Sequence, residues 1–288
     1  MGTSGNIKSF AFTQGNSKSK PNEDAYGSTC DKGNYSFAVA DGVSRSIYGD
    51  ERYPACALPA AEALCRIAVP ALAEGLPVRE SFAFANQEIA RVNQRAGIIP
   101  ETVDYLANDY LCCEGSAGVL QLQKKYPKRF YYGYIGDCGI LVYDKNVMPV
   151  FLSDNCMGIL EQFRAGFGFK SKNDQRIFWR QHVRNRPESR YMTYGALTGE
   201  TSALMYVKTG SVDLEKGDTV ILFSDGISPF IFDSNFRWMI IDSLCGLVSQ
   251  KIVNSVVSNY ITGACQQLQK QMVGNLDDDK TFIALGID

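Results

Sequence analysis

Hydrophobic and polar positions change period several times along the chain, and each change predicts an element. Residues 7–13 alternate apolar and polar side chains, and the run Tyr35-Ser36-Phe37-Ala38-Val39-Ala40 is short, apolar and ends at Asp41-Gly42. Both read as strands joined through a polar turn, the second one buried and delivering Asp41 at its tip. From 54 to about 74 the chain becomes rich in alanine and leucine and is closed by Gly75 and Pro77, a helix with its stop signals. Over 79–94, Phe82, Ala85, Ile89 and Val92 line one face of a second helix. The middle predicts four short strands, 118–123, 129–135, 139–143 and 147–152, separated by Gly, Pro, Asp and Asn as in an antiparallel meander. Periodicity weakens from 153 to 195, where glycine and basic residues gather, as in a long surface excursion. Strands at 204–208 and 218–224, helices at about 236–248 and 251–272, and a strand at 281–287 complete the pattern. Strands in clusters followed by helices in clusters indicate an α+β protein, not a βαβ parallel sheet. With no internal repeat, residues 1–288 read as one domain.

Composition narrows the chemistry. The formal charge of −2 over 288 residues gives no basic footprint for nucleic acid. A single histidine, His182, excludes zinc sites built from several imidazoles and leaves any metal chemistry to carboxylates, which favour Mg²⁺ or Mn²⁺. The nine cysteines are odd in number and form no C-x-x-C, the start MGTSGNIKSF is no signal peptide, and no apolar run is long enough for a membrane span. A reduced, cytoplasmic setting is expected. No cysteine has an arginine six positions later, so the C-x₅-R loop of cysteine-dependent phosphatases is absent.

Four acidic spots share one grammar, an apolar β run next to aspartate. They are Val39-Ala40-Asp41-Gly42, Tyr134-Ile135-Gly136-Asp137, Leu222-Phe223-Ser224-Asp225-Gly226, and Asp277-Asp278-Asp279-Lys280 ahead of Thr281-Phe282-Ile283. One such aspartate starts a turn or caps a helix. Four of them also suit a divalent cation, which needs several oxygen ligands from rigid elements.

Asn22-Glu23-Asp24, Ala40-Asp41-Gly42-Val43, Gly115-Ser116-Ala117, Gly136-Asp137, Phe223-Ser224-Asp225-Gly226-Ile227 and Asp278-Asp279-Lys280-Thr281 occur in one order. That ordered set, over about residues 7–287, resembles the metal-dependent protein phosphatases of the 2C type, in a bacterial-like branch. Ala85-Asn86-Gln87-Glu88-Ile89 and the Leu197-Thr198-Gly199-Glu200 stretch after Arg184-Asn185 add to the likeness. The resemblance implies a four-layer αββα sandwich of two mainly antiparallel sheets flanked by helix pairs, with a metal cleft at one end and residues 153–195 as a flap beside it.

It also implies site residues. Asp41 would bridge two Mn²⁺ or Mg²⁺ ions, with the Gly42 carbonyl on the first and Asp225 and Asp278 on the second. Glu23 would bind metal through water, Asp24 would stand at the substrate rim, and Asp137 would serve a third, weaker ion. The implied activity is hydrolysis of phosphoserine and phosphothreonine on proteins by a metal-activated water, without a covalent intermediate. The expected setting is a monomer acting opposite a Ser/Thr kinase.

Two positions depart from the family pattern. Ser19, between Lys18 and Lys20, stands where the family carries a phosphate-gripping arginine, and Lys20 is the candidate substitute, as a point charge without the bidentate fork. Val43 stands where eukaryotic members carry a proposed general acid. The run Arg176, Arg180, Arg184, Arg186 and Arg190 reads either as a dock for an acidic phosphoprotein or as a plain solvated face, and His182 within it as a surface or packing residue. Cys138, beside Asp137, is an oxidation candidate. The competing reading is a pseudophosphatase that binds a phosphoprotein in the same cleft without turnover.

Overall fold

The computed structural model describes residues 7–15, 21–44, 56–122, 127–157, 160, 167–245, 255–264 and 278–287. Among the described residues, ten strands form two five-stranded antiparallel sheets. One sheet runs β1 (Ile7–Gln14), β10 (Lys280–Ile287), β9 (Thr219–Phe223), β6 (Gly139–Tyr143) and β7 (Pro149–Leu152). The other runs β2 (Ala25–Asp31), β3 (Asn34–Gly42), β4 (Cys113–Gln121), β5 (Lys128–Ile135) and β8 (Lys208–Leu214).

Strict alternation along the strands creates the layers. In β3, Phe37 and Val39 face the other sheet, with Phe130, Ile140, Val142, Leu222, Ile283 and Leu285. Ala38 and Ala40 of the same strand face outward under helices α1 (Leu58–Ala73) and α2 (Val78–Arg95), against Leu64, Ala68, Phe82 and Ile89. On the far side, Phe10, Phe223 and Phe282 pack against α4 (Ser234–Cys245) and α5 (255–264) through Phe236, Ile240, Val257 and Ile261. Helix, sheet, sheet and helix therefore stack in four layers, as the resemblance implied, and the antiparallel strands and helices agree with the α+β reading.

Several expected boundaries move, each for a local reason. β2 lies in the stretch read as a polar turn; it is an edge strand whose residues are partly or fully exposed, so its sequence lacks an apolar run. The strand expected at 204–208 is instead a 3-10 turn, Thr201–Tyr206, followed by β8. The Arg79 guanidinium donates to the carbonyls of Leu204 (2.9 Å) and Val207 (2.8 Å), which keeps them out of a ladder. β4 starts upstream of the expected position 118, at Cys113. The helices expected at 236–248 and 251–272 are seen over 234–245 and 255–264, and the rest of both lies outside the described residues.

The excursion at 153–195 contains α3 (Lys172–His182), which begins where the Ser171 hydroxyl accepts the Asp174 amide. Arg180 and Arg184 of its basic run are buried, which corrects the reading of the run as a docking or solvated face for these two, while Arg176 and Arg186 are half-buried and Arg190 is exposed. Arg184 is buried and donates to both oxygens of Asp109, at 2.7 and 3.1 Å, and Arg180 pairs with the same carboxylate at 3.1 Å. Arg186 pairs with Glu200 at 2.8 Å. A buried cation needs such a partner, so an arginine run in sequence need not be a surface in the fold.

Burial alone would raise the Asp109 carboxyl, but the Arg184 charge and hydrogen bonds, with Arg180, hold it below its ordinary range. Its contribution is therefore complete at neutral pH and is lost as pH falls through that depressed value. Asp109→Ala should cost about 3–5 kcal/mol in urea denaturation at pH 7, because two buried guanidinium groups lose their counter-ion. A loss under ~1 kcal/mol, the range of an exposed pair, would contradict this account.

Candidate metal centre

The register of the strands brings the acidic residues to one end of the sandwich. Asp41 continues the Phe37–Val39 side of β3 and stands opposite Glu114 across the β3–β4 ladder. Asp137 follows β5, Asp225 follows β9, and Asp278 precedes β10. Carboxylate oxygens of Asp41, Asp137 and Asp225 lie within 4.8 Å of one another, and all three residues are partly accessible. Asp278 stands outside that trio, yet its charge acts on both Asp41 and Asp137. Its carboxylate accepts the Asp279 amide at 3.0 Å.

Burial combined with like charge sets the electrostatics. Burial first, then the charges of Asp24, Asp225, Asp137 and Asp278, push the Asp41 carboxyl well above its usual range. Burial and the neighbouring Glu114 do the same to Asp137. Asp225 is raised to about 6 by burial and Asp137, against a relieving hydrogen bond with Asp41. Burial raises Asp24 and Glu114 to about 7 each. Asp225 Oδ1 and Asp24 Oδ1 are buried without a hydrogen-bond partner. An all-oxygen set with crowded charge and unpaired acceptors fits a hard divalent cation.

Glu23 is the joint of the surrounding frame. Its carboxylate accepts the Ala57 amide ahead of α1 and the Ser44 hydroxyl, both at 2.8 Å. Its own amide donates to Asp279 Oδ2 at 2.7 Å, and its carbonyl accepts the Gly42 amide at 3.1 Å. Gly42 is required by this crowding, since a Cβ there would stand 2.7 Å from the Glu23 carbonyl oxygen. Asp24 differs from its expected place at the rim: it is buried, and the Ser224 hydroxyl donates to it at 2.8 Å.

Lys20 lies outside the described residues. His182 is exposed on α3 with its ring 5.3 Å from that of Phe178. Cys138 is buried with its thiol pushed far up by burial and the acidic neighbours, which argues against easy oxidation there.

Two acidic neighbours were missed at the sequence level. Glu114 is buried and accepts the Asp137 amide at 2.8 Å. A Cβ at Gly136, whose φ is +79°, would collide with that Glu114 carboxylate. With β4 expected to start at 118, Glu114 fell outside any strand; extending the alternation back from Ala117 would have turned it inward. Asp279, seen only as part of a motif, is buried against Glu23.

The raised carboxyls predict a pH dependence. Between the ordinary carboxylate range and about 7 the folded chain binds more protons than the unfolded one, so metal-free stability falls as pH rises through these values. Thermal melts without metal should show a lower Tm at pH 8 than at pH 5.5, and saturating Mn²⁺ should flatten the difference. A Tm that rises with pH in metal-free buffer would contradict the clustering.

The family model for Protein phosphatase 2C matches residues 13–272. No curated protein matches the chain in sequence. Among solved structures, the catalytic domain of the serine threonine protein phosphatase PstP in complex with two manganese ions is similar at a TM-score of 0.57 and 15% identity, over 98% of this chain and 99% of that one. RsbX in complex with magnesium gives a TM-score of 0.52 and 14% identity, over 98% and 96%. The S. agalactiae serine/threonine phosphatase gives 0.55 and 15%, over 98% and 100%. At these identities the likeness to the solved structures is one of fold, and it agrees with the two antiparallel sheets and their flanking helices. With a family match over most of its length, the chain belongs to the protein phosphatase 2C family.

Proposed function

We propose that this chain hydrolyses phosphoserine and phosphothreonine on protein substrates with the help of bound Mn²⁺ or Mg²⁺. The observation that carries the reading is the trio Asp41, Asp137 and Asp225, with carboxylate oxygens within 4.8 Å of one another at the end of a 2C-type sandwich. In this reading Asp41, the Gly42 carbonyl, Asp225 and Asp278 would hold two cations, and Asp137 would belong to a third, weaker site. When bound, such ions lower the pKa of water and offset the charge of the phosphoryl group.

The chain's own residues supply position. Glu114 holds the Asp137 backbone, Ser224 holds Asp24, and Glu23 with Asp279 fixes the entry of β10 relative to the end of β3. The two hydrogen bonds on the Glu23 carboxylate favour a role in orienting the Asp41–Gly42 turn alongside any water-mediated contact. Cys112, Cys113 and Cys138 are buried thiols with strongly raised pKa values, which supports a route without a cysteine nucleophile. The reading takes the chain as a single phosphatase unit with 153–195 as its flap, acting opposite a Ser/Thr kinase. Among the described residues no helix is long and apolar enough to cross a membrane.

A chelator should abolish hydrolysis of p-nitrophenyl phosphate, and Mn²⁺ should restore it. Asp225→Asn should lose about 100-fold or more at equal Mn²⁺. Full turnover by metal-free enzyme would defeat the proposal. On a phosphopeptide panel, phosphoserine and phosphothreonine should be cleaved well ahead of phosphotyrosine. Capture of phosphopeptide without any turnover, surviving Asp41→Ala, would favour the pseudophosphatase instead.

A further inference from the structure

One cation is built into the floor of the acidic cluster. Lys280 opens β10 and is buried, with 2% of its surface exposed. Its Nζ donates to the Asp278 carbonyl at 2.7 Å. Its stem runs under the Asp225-Gly226 turn, where a Cβ on Gly226 would meet Lys280 Cγ at 3.3 Å. Its charge also reaches Asp225, as the smallest of three influences, after hydrogen bonds with Asp41 and the Gly226 amide, that oppose burial and Asp137 there. The same residue thus touches the backbone of one proposed ligand and acts electrostatically on another.

A buried ammonium must be balanced, and a crowd of half-buried carboxylates must be balanced too. Each condition explains the other here. Asp41, Asp137 and Asp225 bring their carboxylate oxygens within 4.8 Å of one another, while Lys280, bonded to the Asp278 carbonyl, brings a positive charge from the chain itself. Once a divalent ion enters, the two positive charges oppose one another.

We propose that Lys280 is a resident counter-ion of the metal centre, a positioning residue that holds Asp225 and the Asp278 backbone in place before a cation binds and weakens the cation's binding afterwards. This rests on the metal reading above and extends it: the lysine limits metal affinity in exchange for a folded, preorganised site without metal. A residue that only fills space at the start of β10 would not have opposite effects on the two states.

The test is Mn²⁺ titration calorimetry and thermal melting on wild type, Lys280→Met and Lys280→Gln. Met keeps most of the volume without charge, and Gln keeps a donor without charge. Both variants should melt several degrees below wild type in chelator, yet bind Mn²⁺ about tenfold more tightly. A variant that folds only with Mn²⁺ present would support the proposal in its strongest form. Equal or weaker Mn²⁺ binding in both variants, or failure to fold even at saturating Mn²⁺, would overturn it and assign Lys280 to packing. Wild type that binds no Mn²⁺ would overturn the metal reading itself, an outcome distinct from bound wild type with unchanged variants.

Discussion

Mutual repulsion among crowded, half-buried carboxylates is the constraint around which the rest of this molecule is arranged. Asp41, Asp137 and Asp225 approach within 4.8 Å through oxygens that would each prefer water or a cation. The fold tolerates this only because their backbones are fixed by elements with large buried cores of their own. The inter-sheet core built on Phe37, Phe130, Leu222 and Ile283 sets the direction of the strands that end at the cluster. An acidic site on loops alone would relax by splaying apart; one on strand ends cannot do so without shifting the sheets.

Around the cluster lies a frame of hydrogen bonds that crosses the whole sequence. Glu23 joins the end of β3, the start of α1 and Asp279 before β10. Ser224 joins Asp24 to Thr281, whose amide donates to its hydroxyl at 3.0 Å. Glu114 carries Asp137. From the 153–195 excursion, Arg180 reaches the Ser44 carbonyl at 3.1 Å while paired with Asp109, so α3 also bears on the turn that follows Asp41. Residues far apart in sequence thereby fix a site whose own members repel.

Period-two patterns made much of this legible before any coordinates. The short apolar run from Tyr35 to Ala40, closed by Asp41-Gly42, announces a buried strand with Asp41 at its tip, while its two different faces show only in the fold. The helices near 58–73 and 78–95 were visible in their alanine content and apolar face. What stayed hidden depended on partners far away. β2 is an edge strand without an apolar run, Thr201–Tyr206 is bent by Arg79 from another layer, and Arg184 looked like surface because Asp109 lies 75 positions earlier. Glu114 was lost because strand boundaries are set by pairing, here with Asp41, and not by composition. Asp41, Asp225 and Asp278 could be named from the ordered motifs, but their spacing could not.

The central claim is that this crowding exists to hold divalent cations. Crystals grown with Mn²⁺ and measured at the manganese absorption edge test it directly. The account predicts an anomalous peak in contact with the carboxylates of Asp41 and Asp225. A map from Mn²⁺-saturated crystals with no peak at those side chains would contradict it.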